Sequence, residues 1–126
     1  MLRVGILGAS RIVPWAIAEP AARRDDVRVV AIAARRPGSA DPLASQFGIE
    51  RTYSTYEEVI SDTEIDLVYN PLPPHLHADW SIKALEAGKH VLCEKPFAMN
   101  AAEARRMNDA AERHGKRVIE AFHDRY

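Results

Sequence analysis

Arg3-Val4-Gly5-Ile6-Leu7-Gly8-Ala9-Ser10-Arg11-Ile12-Val13 runs from a short apolar strand through a glycine turn into a helical pattern. A strand-turn-helix unit of this kind is where a dinucleotide-binding fold seats a pyrophosphate, on the N–H groups at the start of the helix. The glycine pattern is only partly present. Gly8 supplies the tight turn, Ser10 stands in place of the second glycine and Val13 in place of the third. Serine is small and can offer a hydroxyl to a phosphate, and Arg11 adds positive charge. An ordinary βα turn is the competing reading of this motif alone. Gly5 reads as a packing residue inside the strand rather than a ligand contact.

Downstream, apolar runs alternate with helical patterns. Ile12–Arg23 is expected to be the first helix, with Pro14 tolerated in its first turn because an N–H there has no intrahelical partner. Val27–Ala33, almost all Val, Ile and Ala, reads as a strand buried on both faces. Leu43–Phe47 is a short helix closed by Gly48, and Thr52-Tyr53 a short third strand. Thr55 and Glu58 form a capping box that opens a helix through Ile60. Ile65–Tyr69 is the fourth strand, and Asn70–Pro74 is a proline-rich loop that cannot continue it. His75–Ala87 reads as a helix whose shared face is Leu76, Trp80, Ala84 and Ala87, ended by Gly88. His90–Cys93 is the fifth strand. Asn100 and Glu103 open a helix to His114, ended by Gly115, and Lys116–Phe122 contains the sixth strand. Alternation of this kind predicts a doubly wound α/β fold with a parallel sheet of about six strands and right-handed helical crossovers. Residues 1–126 read as a single domain, without repeats, low-complexity tracts or an interdomain linker.

Composition narrows the function. The net charge is −1, and the basic residues are scattered apart from three Arg-Arg pairs, so neither nucleic acid nor an anionic membrane is an expected partner. Cys93 is the single cysteine, which rules out an internal disulfide and a cysteine-based zinc site and fits a reducing, cytoplasmic setting. No apolar stretch approaches the roughly 18 residues that would suggest a membrane span, and the N-terminal apolar run is too short for a signal peptide.

The end of the second strand bears on the ribose. A site for NAD usually places a carboxylate there to accept from the 2′-hydroxyl. Here the stretch is Ala33-Ala34-Arg35-Arg36, with no acid until Asp41. Guanidinium groups can pair with a 2′-phosphate that a carboxylate would repel, so NADP is favoured over NAD. The competing reading is a solvated pair of surface arginines. Asn70-Pro71-Leu72-Pro73-Pro74 lies at the carboxyl end of the sheet and could form a fixed wall beside the nicotinamide or ribose. His75 and His77 open the next helix; without a carboxylate cluster or cysteine pair beside them, metal binding is not expected. Glu94-Lys95-Pro96 closes the fifth strand. Glu94 and Lys95 are either a surface ion pair or functional groups, Glu94 holding Lys95 or a ribose hydroxyl. Lys95 would then orient a substrate hydroxyl or carbonyl and stabilise developing negative charge. Cys93 reads as a small buried hydrophobe.

These residues together resemble the Gfo/Idh/MocA oxidoreductase family, the relatives of glucose–fructose oxidoreductase and inositol dehydrogenase. The resemblance is carried by Val4–Ile12, Val30–Arg35, Asp66–Pro73 and Ala84–Pro96, with Glu120-Ala121-Phe122 and Arg125 similar to the segment leading out of the cofactor domain. It implies a six-stranded Rossmann domain followed by a larger α/β substrate domain, and hydride transfer between a nicotinamide cofactor and a hydroxyl or carbonyl of a sugar, cyclitol or diol. It implies that Gly8, Ala9, Ser10, Arg11 and Ile12 hold the pyrophosphate, with Ala34, Arg35 and Arg36 near the ribose. Asn70, Pro71, Leu72, Pro73 and His77 would lie beside the cofactor, Glu94 near the nicotinamide ribose, and Lys95 in the catalytic position and also against the cofactor. Ala-Ser-Arg after Gly8 with Arg after the second strand looks like the NADP-using branch of dihydrodiol dehydrogenase and 1,5-anhydrofructose reductase. The family's substrate domain, with its catalytic histidine and usual oligomer interface, has no counterpart in this sequence. A homo-oligomer is compatible with the resemblance. The alternatives are an NADP-binding or redox-sensing module without turnover, and a non-catalytic interaction protein.

Overall fold

The computed structural model describes residues 1–121 and places the apolar runs as six parallel strands in one sheet. These are β1 (Leu2–Leu7), β2 (Val27–Ala33), β3 (Arg51–Tyr53), β4 (Leu67–Asn70), β5 (His90–Glu94) and β6 (Val118–Ala121), in the order β3-β2-β1-β4-β5-β6. The chain winds outward in one direction from β1 and in the other from β4. The two central strands pair in parallel at Val4–Leu67, Gly5–Val68 and Ile6–Tyr69. A crevice opens beyond their carboxyl ends, because the connections leaving them diverge. The doubly wound α/β expectation is met. Phe122 and Arg125, singled out in the sequence, lie outside the described residues.

Alternate strand residues feed two apolar clusters, which is why these strands lack a polar face. Leu7, Ala33, Val68 and Val91 pack with α3 (Tyr56–Ser61), α4 (His77–Glu86) and α5 (Ala101–His114). Val4, Ile6, Ile32 and Tyr69 pack with α1 (Glu19–Ala22) and α2 (Asp41–Phe47). Gly5 has the packing role expected of it. A Cβ there would stand 2.6 Å from Ile65 Cδ1 and 2.7 Å from Val59 Cγ1, so only glycine lets α3 and the residues after it lie this close on β1.

Local signals placed several ends correctly. The Thr55–Glu58 capping box is formed, and Asn100 caps α5 by accepting from the Glu103 N–H. Gly48, Gly88 and Gly115 take positive φ after their helices. Other boundaries differ. The first helix does not run as a continuous α-helix from Ile12 to Arg23: Pro14–Ala18 forms a π-helical turn, and only Glu19–Ala22 is α-helical. The Glu19 N–H donates to Pro14 O, five residues back. Pro20, which has no N–H, cannot continue the ladder from the next position. The helix expected from His75 begins as a 3-10 turn at Pro74–Leu76 and becomes α-helical at His77. Ala87, expected on the buried face, is exposed beyond the last helical residue. Ile65 precedes β4 rather than opening it and is buried over Gly5. Asn70 and Glu94, read as the first loop residues after their strands, are the last residues of β4 and β5.

The amino end of the sheet is closed by charge. Asp62 accepts from Arg51 Nε at 2.9 Å, the Tyr53 hydroxyl at 3.0 Å and the Glu64 N–H at 3.0 Å. Burial pushes its carboxyl up, but these hydrogen bonds and the guanidinium outweigh it and hold the carboxyl below its ordinary value. A carboxylate lowered in the folded state contributes stability that is present above its unfolded pKa and lost as pH falls through the folded one. Asp62→Asn is therefore expected to cost about 1–3 kcal/mol at neutral pH. It should also flatten the loss of stability below about pH 4, as read from urea denaturation across pH.

Candidate functional site

The site is built from the loops that leave β1, β2, β4 and β5. At the end of β1 the Gly8 N–H donates to Ala33 O at 2.7 Å, tying the turn to β2. Gly8 has φ +94°, a region that side-chain-bearing residues avoid. A Cβ on it would stand 3.2 Å from Leu72 Cδ2 in the loop after β4. The missing side chain thus serves both the turn and the close approach of the two loops. Ser10 Oγ accepts from the Ile12 N–H at 3.5 Å and Ser10 O from the Val13 N–H at 3.1 Å, so this serine orders the turn it stands in. Val13 is fully buried, and a side chain fills the helix–sheet contact where a third glycine was absent. Leu7, Gly8, Ser10, Pro71, Leu72, Pro73 and Pro74 line one cavity of about 440 Å³ at the crevice between β1 and β4. Arg11 is exposed at its edge of the turn, and Ala9 and Ile12 are half-buried.

After β2, Ala34 is buried while Arg35 and Arg36 are exposed and diverge. The Arg35 guanidinium lies over the Tyr56 ring, 4.9 Å from its centroid. Arg36 lines a separate cavity of about 320 Å³ with Ala34, Gly38, Tyr53 and Ser54.

Asn70 and His77 stand behind the crevice loop and hold it. Asn70 is fully buried, its Nδ2 donating to Ser81 Oγ at 3.0 Å and His77 O at 3.3 Å, its Oδ1 accepting from the Leu72 N–H at 3.2 Å. The His77 ring is buried between two carbonyls, with Nε2 against Leu72 O and Nδ1 2.8 Å from Pro96 O. It therefore links the loop after β4 to the turn after β5.

Glu94 is not a surface residue. It is 6% exposed and accepts at Oε1 from the Tyr69 hydroxyl at 2.6 Å. Burial, then this hydrogen bond to the carboxylate, pushes the Tyr69 phenol well above its ordinary value, so it stays a donor. Lys95 follows on the exposed side, and the Lys95–Pro96 peptide is cis. The next turn is anchored by the Phe97 N–H, which donates to Glu120 Oε2 at 2.9 Å. Burial pushes the Cys93 thiol up to about 12, which agrees with its reading as a buried hydrophobe and removes thiolate nucleophilicity at neutral pH.

The sequence reading missed Tyr56 and Tyr69. Tyr69 carries a faint signal. It pairs with Leu92 across β4 and β5, so Glu94, two residues further along, lies on the same face. Tyr56, next to the capping box, gives none.

A parallel sheet in this order, with a glycine turn and a crevice at the reversal, defines a dinucleotide-type Rossmann domain. Residues 2–122 match the model of the oxidoreductase family GFO_IDH_MocA, described as an NAD-binding Rossmann fold, and the chain belongs to that family. It is 45% identical over 121 residues to an uncharacterized oxidoreductase, ORF334, of Rhizobium meliloti, covering 96% of this chain and 36% of that protein. It is 39% identical to D-xylose 1-dehydrogenase (NADP(+)) 2 of Haloferax volcanii, covering 97% of this chain and 37% of the relative. Among solved structures it is similar to KijD10, a 3-ketoreductase from Actinomadura kijaniata crystallised with TDP-benzene and NADP. That similarity has a TM-score of 0.86 and 38% identity, over 94% of this chain and 37% of that one. The chain thus spans little more than a third of the length of these relatives.

Tyr69→Phe removes one donor from a buried carboxylate. The expected loss of stability is about 1–3 kcal/mol, measured by urea denaturation, with the far-UV spectrum of the folded state unchanged.

Proposed function

We propose that this chain binds NADP across the β1–β4 crevice and is the cofactor half of an enzyme that moves a hydride between the nicotinamide and a hydroxyl or carbonyl of a sugar, cyclitol or diol. The observation that carries the reading is the Gly8 turn, which faces the proline loop across the cavity at the reversal of strand order. A side chain at Gly8 would fill the space that a pyrophosphate needs. Arg35 and Arg36, with no acid at the end of β2, support the phosphorylated cofactor. So does the NADP in the name of the Haloferax volcanii relative and in the KijD10 crystals.

In this reading the N–H groups of the Gly8–Ile12 turn hold the pyrophosphate, with Arg11 beside it. Arg35 faces the 2′-phosphate, Arg36 adds positive charge at the same loop, and Pro71, Leu72 and Pro73 form a stiff wall beside the nicotinamide. Asn70 and His77 act through that wall, since their polar groups are engaged within the protein. The bound nicotinamide supplies the hydride chemistry. Lys95, exposed at the carboxyl end of β5, donates a hydrogen bond to the substrate oxygen and stabilises negative charge as it develops there. Glu94, fixed by Tyr69, sets the carboxylate side of that end near the ribose. The cytoplasm is the compartment this reading implies, and a homo-oligomer remains compatible with it. Among the described residues no helix is long and apolar enough to cross a membrane.

Titration of the chain with NADPH and NADH, followed by nicotinamide fluorescence, tests the cofactor. NADPH is expected to bind more tightly, and failure of both to bind at millimolar concentration overturns the reading. Arg35→Asp should weaken NADPH by about tenfold or more through lost pairing and added repulsion, leaving NADH nearly unchanged. For the chemistry, Lys95→Ala should leave NADPH affinity within about twofold and lower kcat on a sugar or diol by about a hundredfold. Equal loss of cofactor affinity would place Lys95 in binding instead.

A further inference from the structure

Tyr56 opens α3 beside its capping residue, and three other segments converge on it. Tyr56 is 7% exposed, and its edge-to-face contact with Trp80 of α4 has ring centroids 5.1 Å apart and planes at 89°. The Arg35 guanidinium lies over that ring. Its hydroxyl is 3.8 Å from where a Cβ on Gly8 would stand. The neighbouring backbone is fixed as well, since the Thr55 N–H donates to Glu58 Oε1 and the Glu58 N–H to Thr55 Oγ1. A rigid aromatic surface therefore lies between the glycine turn and the first arginine after β2.

This geometry suits a phosphate clamp. A guanidinium held over an aromatic ring by the cation–π attraction still has N–H groups to offer a ligand. Those of Arg35 make no hydrogen bond or ion pair among the described residues. A long exposed side chain would otherwise sample many rotamers, and the ring removes much of that freedom before a ligand arrives. A planar donor held in this way is matched to a phosphate monoester, which accepts two parallel hydrogen bonds. Arg36 is exposed too but lies along the other cavity.

We propose that Tyr56 is a positioning residue that determines cofactor specificity: it holds Arg35 at the 2′-phosphate, so the preference for NADP over NAD belongs to the Arg35–Tyr56 pair. The proposal rests on the NADP reading above. It is tested by the ratio of NADPH to NADH dissociation constants for the wild type, Tyr56→Phe, Tyr56→Leu, Arg35→Lys, Arg35→Ala and the Arg35→Ala/Tyr56→Leu double variant, each shown to be folded by thermal melting. Tyr56→Phe keeps the ring and should hold the ratio within about twofold. Tyr56→Leu should reduce the NADPH preference about fivefold, with NADH affinity unchanged, and have no further effect on the Arg35→Ala background. Arg35→Lys keeps the charge without the planar guanidinium that lies over the ring, so the preference should fall in a chain whose core is untouched. This variant decides the matter if Tyr56→Leu does not fold: an unchanged ratio in Arg35→Lys overturns the proposal. Equal weakening of both cofactors by Tyr56→Leu, or an additive effect in the double variant, also overturns it. If the wild type binds neither cofactor or both equally, the NADP reading itself fails. If the wild type discriminates but Arg35→Ala does not alter the ratio, that reading stands and the Tyr56 proposal falls.

Discussion

The contact between Gly8 and Leu72 is the constraint on which the carboxyl end of the sheet depends. The loops after the two central strands approach so closely that a Cβ on Gly8 would stand 3.2 Å from Leu72 Cδ2. From this approach a run of contacts spreads in both directions. The Gly8 N–H reaches Ala33 O at the end of β2. On the other side the Leu72 N–H is held by Asn70, and Leu72 O meets His77, whose second nitrogen meets Pro96 O after β5. Neighbouring strand ends are thus joined through polar atoms, those of Asn70 and Leu72 buried and that of Pro96 part-buried. Each such atom costs free energy if its partner moves away, so the loops are held as a set.

This arrangement explains why the fold was more legible than the site. Strands and helices are specified by patterns within about ten residues: the apolar run Val27–Ala33, the Thr55–Glu58 box, and glycine after α2, α4 and α5. Boundaries failed where the deciding partner was distant. Asn70 and Glu94 look like loop residues because they are polar and precede proline or lysine. They remain in their strands because Ser81 and Tyr69, eleven and twenty-five residues away, satisfy them. The π-helical turn at Pro14–Ala18 was hidden for another reason. Pro14 is favourable at a helix start, whereas the effect of Pro20 falls on bonds made earlier in the chain.

Among the candidate site residues, glycine and proline were legible because their effect is on their own backbone. The sequence also placed Lys95, Arg35 and Arg36 at strand ends, and they stand there exposed. It could not distinguish His77 and Asn70, which hold the loop from behind, from residues that face the crevice. Both kinds fall within the eight residues from the end of β4 to the start of α4. Tyr56 was invisible because its significance comes from what three other segments bring to it.

Burial sorts these polar residues by task. A buried amide, imidazole or carboxylate cannot wait for a ligand, because an unpaired polar group inside the protein is costly in every molecule that has not yet bound one. Asn70, His77 and Glu94 accordingly have protein partners. An exposed cation has no such requirement, since water solvates it until a phosphate or substrate oxygen displaces that water. Arg11, Arg35 and Arg36 are of this kind. Exposure has its own cost, in the freedom that a long side chain loses when it is finally ordered. Of these three, Arg35 lies over a buried ring, which lowers that cost in advance. The proposed cofactor site thus rests on a rigid set of buried polar groups and presents its charge on residues that keep their hydration until a ligand arrives.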